Sequence, residues 1–256
     1  MLGAIAGDVI GSVYESKPIK STEFPLLSPR STFTDDTVLT VAIAYSILRK
    51  GDYATSLKQF ARRYPQAGYG GEFYRWAMSP QTEPYRSWGN GSAMRVSPVG
   101  FACHSVDAVL LEAKKTSEVT HNHSEGIKGA QAVALAVFLA REGGSKARIK
   151  RDIQERFGYD LDRTLEEIKP VYRFDGFCQG SVPESIVAFL ESADYEDAVR
   201  KAVSLGGDSD TMACIAGGIA HAYYKHIPSG LLADVRRRLP EEFLEFVDEF
   251  NATFGG

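Results

Sequence analysis

Two four-residue runs constrain this chain more than anything else in it. Thr34-Asp35-Asp36-Thr37 is followed by Val38-Leu39-Thr40-Val41-Ala42-Ile43-Ala44, and Asp208-Ser209-Asp210-Thr211 is followed by Met212-Ala213-Cys214-Ile215-Ala216. Each run opens a stretch that is apolar nearly all round, which marks a buried helix. One hydroxyl or carboxylate at a helix start satisfies a free N–H and suits the helix dipole. Capping accounts for one such residue, but not for two aspartates and two hydroxyls in four positions, twice. Buried helices place their starts near the core, where four aspartates repel one another and lose hydration. A cation relieves that cost. Every donor is oxygen, with no His or Cys in either run, so Mg²⁺, Mn²⁺ or Ca²⁺ fits and a Cys/His zinc site does not. Four carboxylates balance two divalent ions.

The rest of the chain is patterned for helices. In residues 122–142, Ile127, Ala130, Val133, Ala134, Val137 and Phe138 recur at intervals of three and four and share one face. Similar patterns run through 38–49, 105–119, 183–191, 195–204, 211–225 and 229–251, the last broken in two at Pro240. No alternating strand pattern of useful length occurs, so an all-α fold is expected. Residues 17–33, 80–92 and 170–182 read as loops, rich in Pro, Ser and Gly. None of them is a defensible boundary, which predicts a single domain over 1–256.

Composition narrows the function classes. A net charge of −4 gives no electrostatic footprint for a nucleic acid, so no stable nucleic-acid partner is expected. The run Arg236-Arg237-Arg238 is read as positive charge at a helix C-terminus. Cys103, Cys178 and Cys214 lack metal-type spacing and read as reduced, mostly buried thiols. The N-terminus lacks the basic region of a secretion signal, and no run approaches a membrane span. A cytoplasmic monomer is the expectation.

Three further segments carry chemistry. Gly3, Gly7 and Gly11 form a stripe in the first helix, which lets another backbone approach closely, and Asp8 and Glu15, seven apart, are expected to share a face of it. Trp88-Gly89-Asn90-Gly91-Ser92-Ala93-Met94-Arg95 is a glycine-rich turn leading into helix-like sequence. The free N–H groups of such a turn hold phosphate oxygens, although the Gly-Lys-Ser/Thr ending of a P-loop is missing. Thr120-His121-Asn122-His123 precedes the 122–142 helix, where the histidines are placed to cap, to bind substrate, or both; their spacing argues against a shared metal.

Taken in order, Gly3 to Ser12, Phe33 to Thr37, Gly89 to Arg95, Thr120-His121 and Gly206 to Thr211 resemble the ADP-ribosylglycohydrolase family over nearly the whole chain. The resemblance implies a compact orthogonal helical bundle with a central dimetal cleft. It also implies a magnesium-dependent hydrolase that cleaves the C1″ bond of ADP-ribose to an acceptor. Thr34, Asp35, Asp36, Asp208, Asp210 and Thr211 then correspond to the ligands of two Mg²⁺, with Mn²⁺ as an alternative. Glu15 matches an acidic residue beside the scissile bond and is taken as catalytic, together with Asp35 and Asp210. Gly89, Asn90, Gly91 and Ser92 match a diphosphate-binding loop, and His121 a substrate-side histidine. Gly180 to Ser185, including Ser181, resemble a loop and helix start that close over the adenosine end. Residues 176–179 fall where members differ, and His221 stands where many bacterial relatives carry Glu. The first helix and the 180–191 segment lean towards the branch that cleaves serine-linked and polymeric ADP-ribose.

Overall fold

A computed structural model of the protein describes residues 1–255, so Gly256, the end of the expected domain, lies outside the described residues. The helices are α1 (Leu2–Gly11), α2 (Asp35–Arg49), α3 (Tyr53–Arg63), α4 (Gly71–Met78), α5 (Gly91–Met94), α6 (Ser97–Ala102), α7 (Val106–Glu118) and α8 (Ser124–Arg141). They continue with α9 (Lys146–Phe157), α10 (Leu165–Ile168), α11 (Cys178–Leu190), α12 (Tyr195–Val203), α13 (Ser209–Tyr224), α14 (Ser229–Arg236) and α15 (Glu241–Phe254). Among the described residues there is no strand, only one isolated bridge between Gly89 and Phe177. The all-α expectation holds.

Two helices form the centre. α13 is buried from Ser209 through Ala220, and α8 from Ala132 through Ala140. Both are rich in Ala and Gly, which lets neighbouring helices come close. The α1 stripe packs on α13: a Cβ added at Gly7 would lie 2.0 Å from the Ala213 carbonyl oxygen, and one at Gly11 2.4 Å from that of Ser209. Glycine is required at both positions because the obstacle is backbone, which cannot move aside. This contact fixes α1 beside the start of α13, and α1 carries Asp8 to the start of α2.

The termini follow local chemistry. Asp52, Ser105, Ser145 and Asp194 accept N–H groups of the helices they precede, and Thr164 with Glu167 forms a capping box. Pro240 occupies the N-cap position of α15, after α14 has ended at Arg236. Arg236 and Arg237 pair with Asp248 and Asp234, as a basic run at a helix end should.

Three expectations are corrected. α1 ends at Gly11, so Glu15 lies in the turn beyond it and shares no helical face with Asp8. α11 starts at Cys178, with Pro183 inside it, so Gly180 to Ser185 are helical and not a loop. The early proline reads as a helix start, whereas the chain accepts one missing N–H in the second turn. α3 and α9, amphipathic helices with strongly charged outer faces, are also present beyond the helices expected from the apolar runs. All three cysteines are free; Cys178 and Cys214 are buried and Cys103 is partly so.

Candidate active site

The two acidic helix starts meet. Thr211 Oγ1 donates to Asp36 Oδ2 at 3.4 Å, joining the first turn of α13 to that of α2. Around this junction lies a cavity of about 360 Å³ lined by Glu15, Asp35, Asp36, Glu72, Asp208 and Asp210, with Thr34 and Thr211 between them. Arg95 is the one guanidinium or ammonium group in the lining.

The α2 start is held from beneath by Asp8. This fully buried carboxylate accepts the Thr34 amide at 3.0 Å, the Thr34 hydroxyl at 2.8 Å, the Thr37 amide at 3.0 Å and the Thr37 hydroxyl at 2.5 Å. Thr34 is also the N-cap, its Oγ1 accepting from the Asp36 amide. The Asp35 amide donates to the Ala67 carbonyl at 2.7 Å. With the backbone satisfied by other groups, the Asp35 and Asp36 carboxylates are turned to the cavity, and Asp36 Oδ1 is buried with no partner. The sequence reading gave Asp8 no place at the site; its signal was a buried-type acid set among the α1 glycines.

The α13 start is held from the cavity wall. Asn90 Nδ2 donates to Asp208 Oδ2 at 2.8 Å, and the Thr211 amide donates to Asp210 Oδ1 at 2.9 Å. Glu15, Asp208 and Asp210 each bring a carboxylate oxygen to within 4.8 Å of the other two. Glu15, read from sequence as catalytic, is thus also placed as a possible ligand.

Burial, reinforced by neighbouring carboxylates, shifts Glu15, Asp35, Asp36, Asp208 and Asp210 upward. Burial, then Asp8 and Asp208, push Asp35 up to about 8. Burial and neighbouring carboxylates hold Asp36 and Asp210 well above the usual range. Asp208 is raised by burial, and Glu15 by burial and then by Asp208 and Asp8. Carboxylates in this state bind a proton or a cation. The residues fit a hard divalent ion: the donors are all oxygen, three carboxylates converge, and Asp36 Oδ1 is an orphaned buried acceptor.

The opposite wall is the glycine turn. The Asn90 amide donates to the Gly176 carbonyl at 2.9 Å and the Cys178 amide to that of Trp88 at 3.0 Å, pinning the turn to the start of α11. Gly89, Asn90 and Gly91 line the cavity together with His121. Ser92 and Ser181 stand behind them. The Ser92 hydroxyl donates to the Gly126 carbonyl at 2.8 Å, and Ser181 accepts from Asn90 Nδ2 at 3.2 Å while donating to the Phe177 carbonyl. The two histidines divide their roles: His123 caps α8 by accepting the Glu125 amide, and only His121 reaches the cavity. Trp88 and Phe177, both exposed, stack beside the turn with ring centroids 5.6 Å apart. Tyr85 and Phe174, which also line the cavity, were not singled out in the sequence. His221 lies away from the cavity lining, against Gly3 of α1; burial lowers its pKa to about 3.

Comparison with known proteins agrees with this architecture. The sequence model of the ADP-ribosylglycohydrolase family matches residues 1–255. The chain is 29% identical to the human ADP-ribosylhydrolase ARH3, over 88% of this chain and 84% of that protein. It is 26% identical to the ADP-ribosylarginine hydrolase Tri1 of Pseudomonas putida (strain GB-1), over 88% of this chain and 69% of that one. A solved structure, an ADP-ribosylglycohydrolase-related protein complex, superposes with a TM-score of 0.71 at 25% identity, covering 96% of this chain and 94% of that one. The chain therefore belongs to the ADP-ribosylglycohydrolase family and is a glycosidic-bond hydrolase of that class.

Proposed function

We propose that this protein hydrolyses the C1″ bond between ADP-ribose and an acceptor, with two Mg²⁺ held by Thr34, Asp35, Asp36, Asp208, Asp210 and Thr211. The observation that carries the reading is the meeting of two acidic helix starts across a cavity whose other wall is the Gly89-Asn90-Gly91 turn. One wall suits cations and ribose hydroxyls; on the other, the Gly89 and Asn90 amides are taken by the Ser87 hydroxyl and the Gly176 carbonyl, so the Gly91 and Ser92 amides are those offered to a diphosphate. The exposed Trp88–Phe177 pair beside the turn offers a flat apolar surface for a purine.

Glycoside cleavage passes through an oxocarbenium-like state with positive charge growing at C1″. When bound, the two ions supply orientation of the ribose hydroxyls and charge stabilisation. The surrounding carboxylates provide a fixed negative environment for C1″. Glu15 sits at the rim in the turn after α1, and burial and its acidic neighbours raise its pKa. Its position on the cavity lining supports a role in exchanging a proton with the departing acceptor or the attacking water. His121 and the glycine turn hold the diphosphate on the wall that Asn90 ties to Asp208.

The test is release of free ADP-ribose from arginine-, serine-, nucleic-acid- and O-acetyl-linked substrates and from the polymer, each with Mg²⁺ and with EDTA. The reading expects Mg²⁺-dependent release from at least one. Release of phosphate from nucleotides in place of ADP-ribose, or no turnover on the panel, contradicts it.

A further inference from the structure

Arg95 has no part in the reading above, yet it is fully buried at the edge of the cavity. Its Nη2 donates to the Thr116 carbonyl at 2.9 Å and to Thr120 Oγ1 at 2.7 Å. A guanidinium has five donors and no acceptor, so Thr120 Oγ1 must accept from it. The Thr120 hydroxyl retains one hydrogen of its own, and His121 Nδ1 lies 2.8 Å away. Arg95 Nε and Nη1 find no protein partner.

The Arg95 bond fills one of the two Thr120 lone pairs, and the guanidinium charge nearby favours a lone pair, not a proton, on Nδ1. If Thr120 gives its hydrogen to Nδ1, that nitrogen is an acceptor, and a neutral imidazole then carries its proton on Nε2. The ring is neutral: burial and the Arg95 charge hold His121 well below the usual imidazole range. The Nε2 edge faces the glycine turn. A Cβ at Gly91 would stand 3.3 Å from Nε2 and one at Gly89 3.6 Å. The two glycines thus admit the ring edge to the cavity wall.

We propose that Arg95 and Thr120 are positioning residues that fix His121 as its Nε2–H tautomer, so that a donor rather than a lone pair meets the phosphate oxygens at the glycine turn. The proposal rests on the reading that this turn receives the diphosphate. The fixed tautomer matters because a lone pair aimed at a phosphate oxygen repels it, whereas an N–H forms a charge-assisted bond. A buried guanidinium one threonine away makes that choice before substrate arrives.

The test reads the tautomer directly. Two-bond proton–nitrogen NMR on the EDTA-treated full chain, with the His121 signals assigned by their loss in His121→Gln, should show the Nε2–H form in the wild type. Thr120→Val, close in shape but without the hydroxyl, should lose the single tautomer. Its KM should rise about tenfold with kcat within about twofold, the pattern of a lost binding contact. Thr120→Ser should restore both. An Nδ1–H wild-type ring overturns the proposal whether or not any variant folds, as does Thr120→Val with an unchanged tautomer. The tautomer is read without substrate, so its failure is separate from failure of the functional reading, which appears as absence of turnover by the wild type.

Discussion

At the start of α2, the first turn is satisfied from another helix: Asp8 of α1 takes four hydrogen bonds from Thr34 and Thr37. At the start of α13, the support comes from the cavity wall, where Asn90 of the glycine turn bonds Asp208. The two runs look alike in sequence, with two carboxylates and two hydroxyls each. Their settings assign them different tasks. The α2 start is rigid scaffold whose carboxylates face the cavity; Asp36 Oδ2 takes the Thr211 hydroxyl, and Asp36 Oδ1 has no partner at all. The α13 start shares a hydrogen bond with the loop proposed to bind phosphate, so a ligand in that loop and the carboxylates opposite are mechanically joined.

Substitutions sharpen this contrast, beginning with those that should treat the two starts alike. Asp36→Asn and Asp210→Asn should each lower kcat/KM by about a thousandfold while circular dichroism stays helical. If only one start mattered, the joint site would be wrong. Asp8→Asn should instead act on the fold. Removing a buried charge that answers four donors should cost about 3 kcal/mol in urea unfolding. An unchanged midpoint would break the claim that α1 holds α2. Glu15→Gln should lower kcat about a hundredfold with stability unchanged, because the side chain sits at the rim. Wild-type turnover would remove Glu15 from proton transfer. Asn90→Ala, which cuts the tie between the turn and α13, should raise KM about tenfold. Equal KM values would separate the two walls.

Much of this was legible in the chain, for identifiable reasons. The acidic starts stand out because capping chemistry cannot use so many acids, and the glycine stripe stands out because a helix tolerates it only for a close backbone. Glu15 was placed on the wrong element, since periodicity continues on paper past Gly11 although the helix stops there. Pro183 concealed the first turn of α11 for the same kind of reason: local propensity was overridden by packing of Cys178 and Val182 in the core. Asp8 and Arg95 were visible as charges in apolar surroundings. Their partners, Thr37 for one and Thr120 for the other, are set by tertiary contacts that no spacing encodes. Ser92 and Ser181 illustrate the converse. They lie in segments that resemble binding loops, yet their hydroxyls bond inward and brace the wall from behind.

The central claim is that two helix starts build one cation site. Calorimetric titration of the EDTA-stripped protein with Mg²⁺ tests it without reference to substrate. The account predicts saturable binding of two ions by the wild type and loss of binding in both Asp36→Asn and Asp210→Asn. No binding by the wild type, or binding that survives both substitutions, would contradict it.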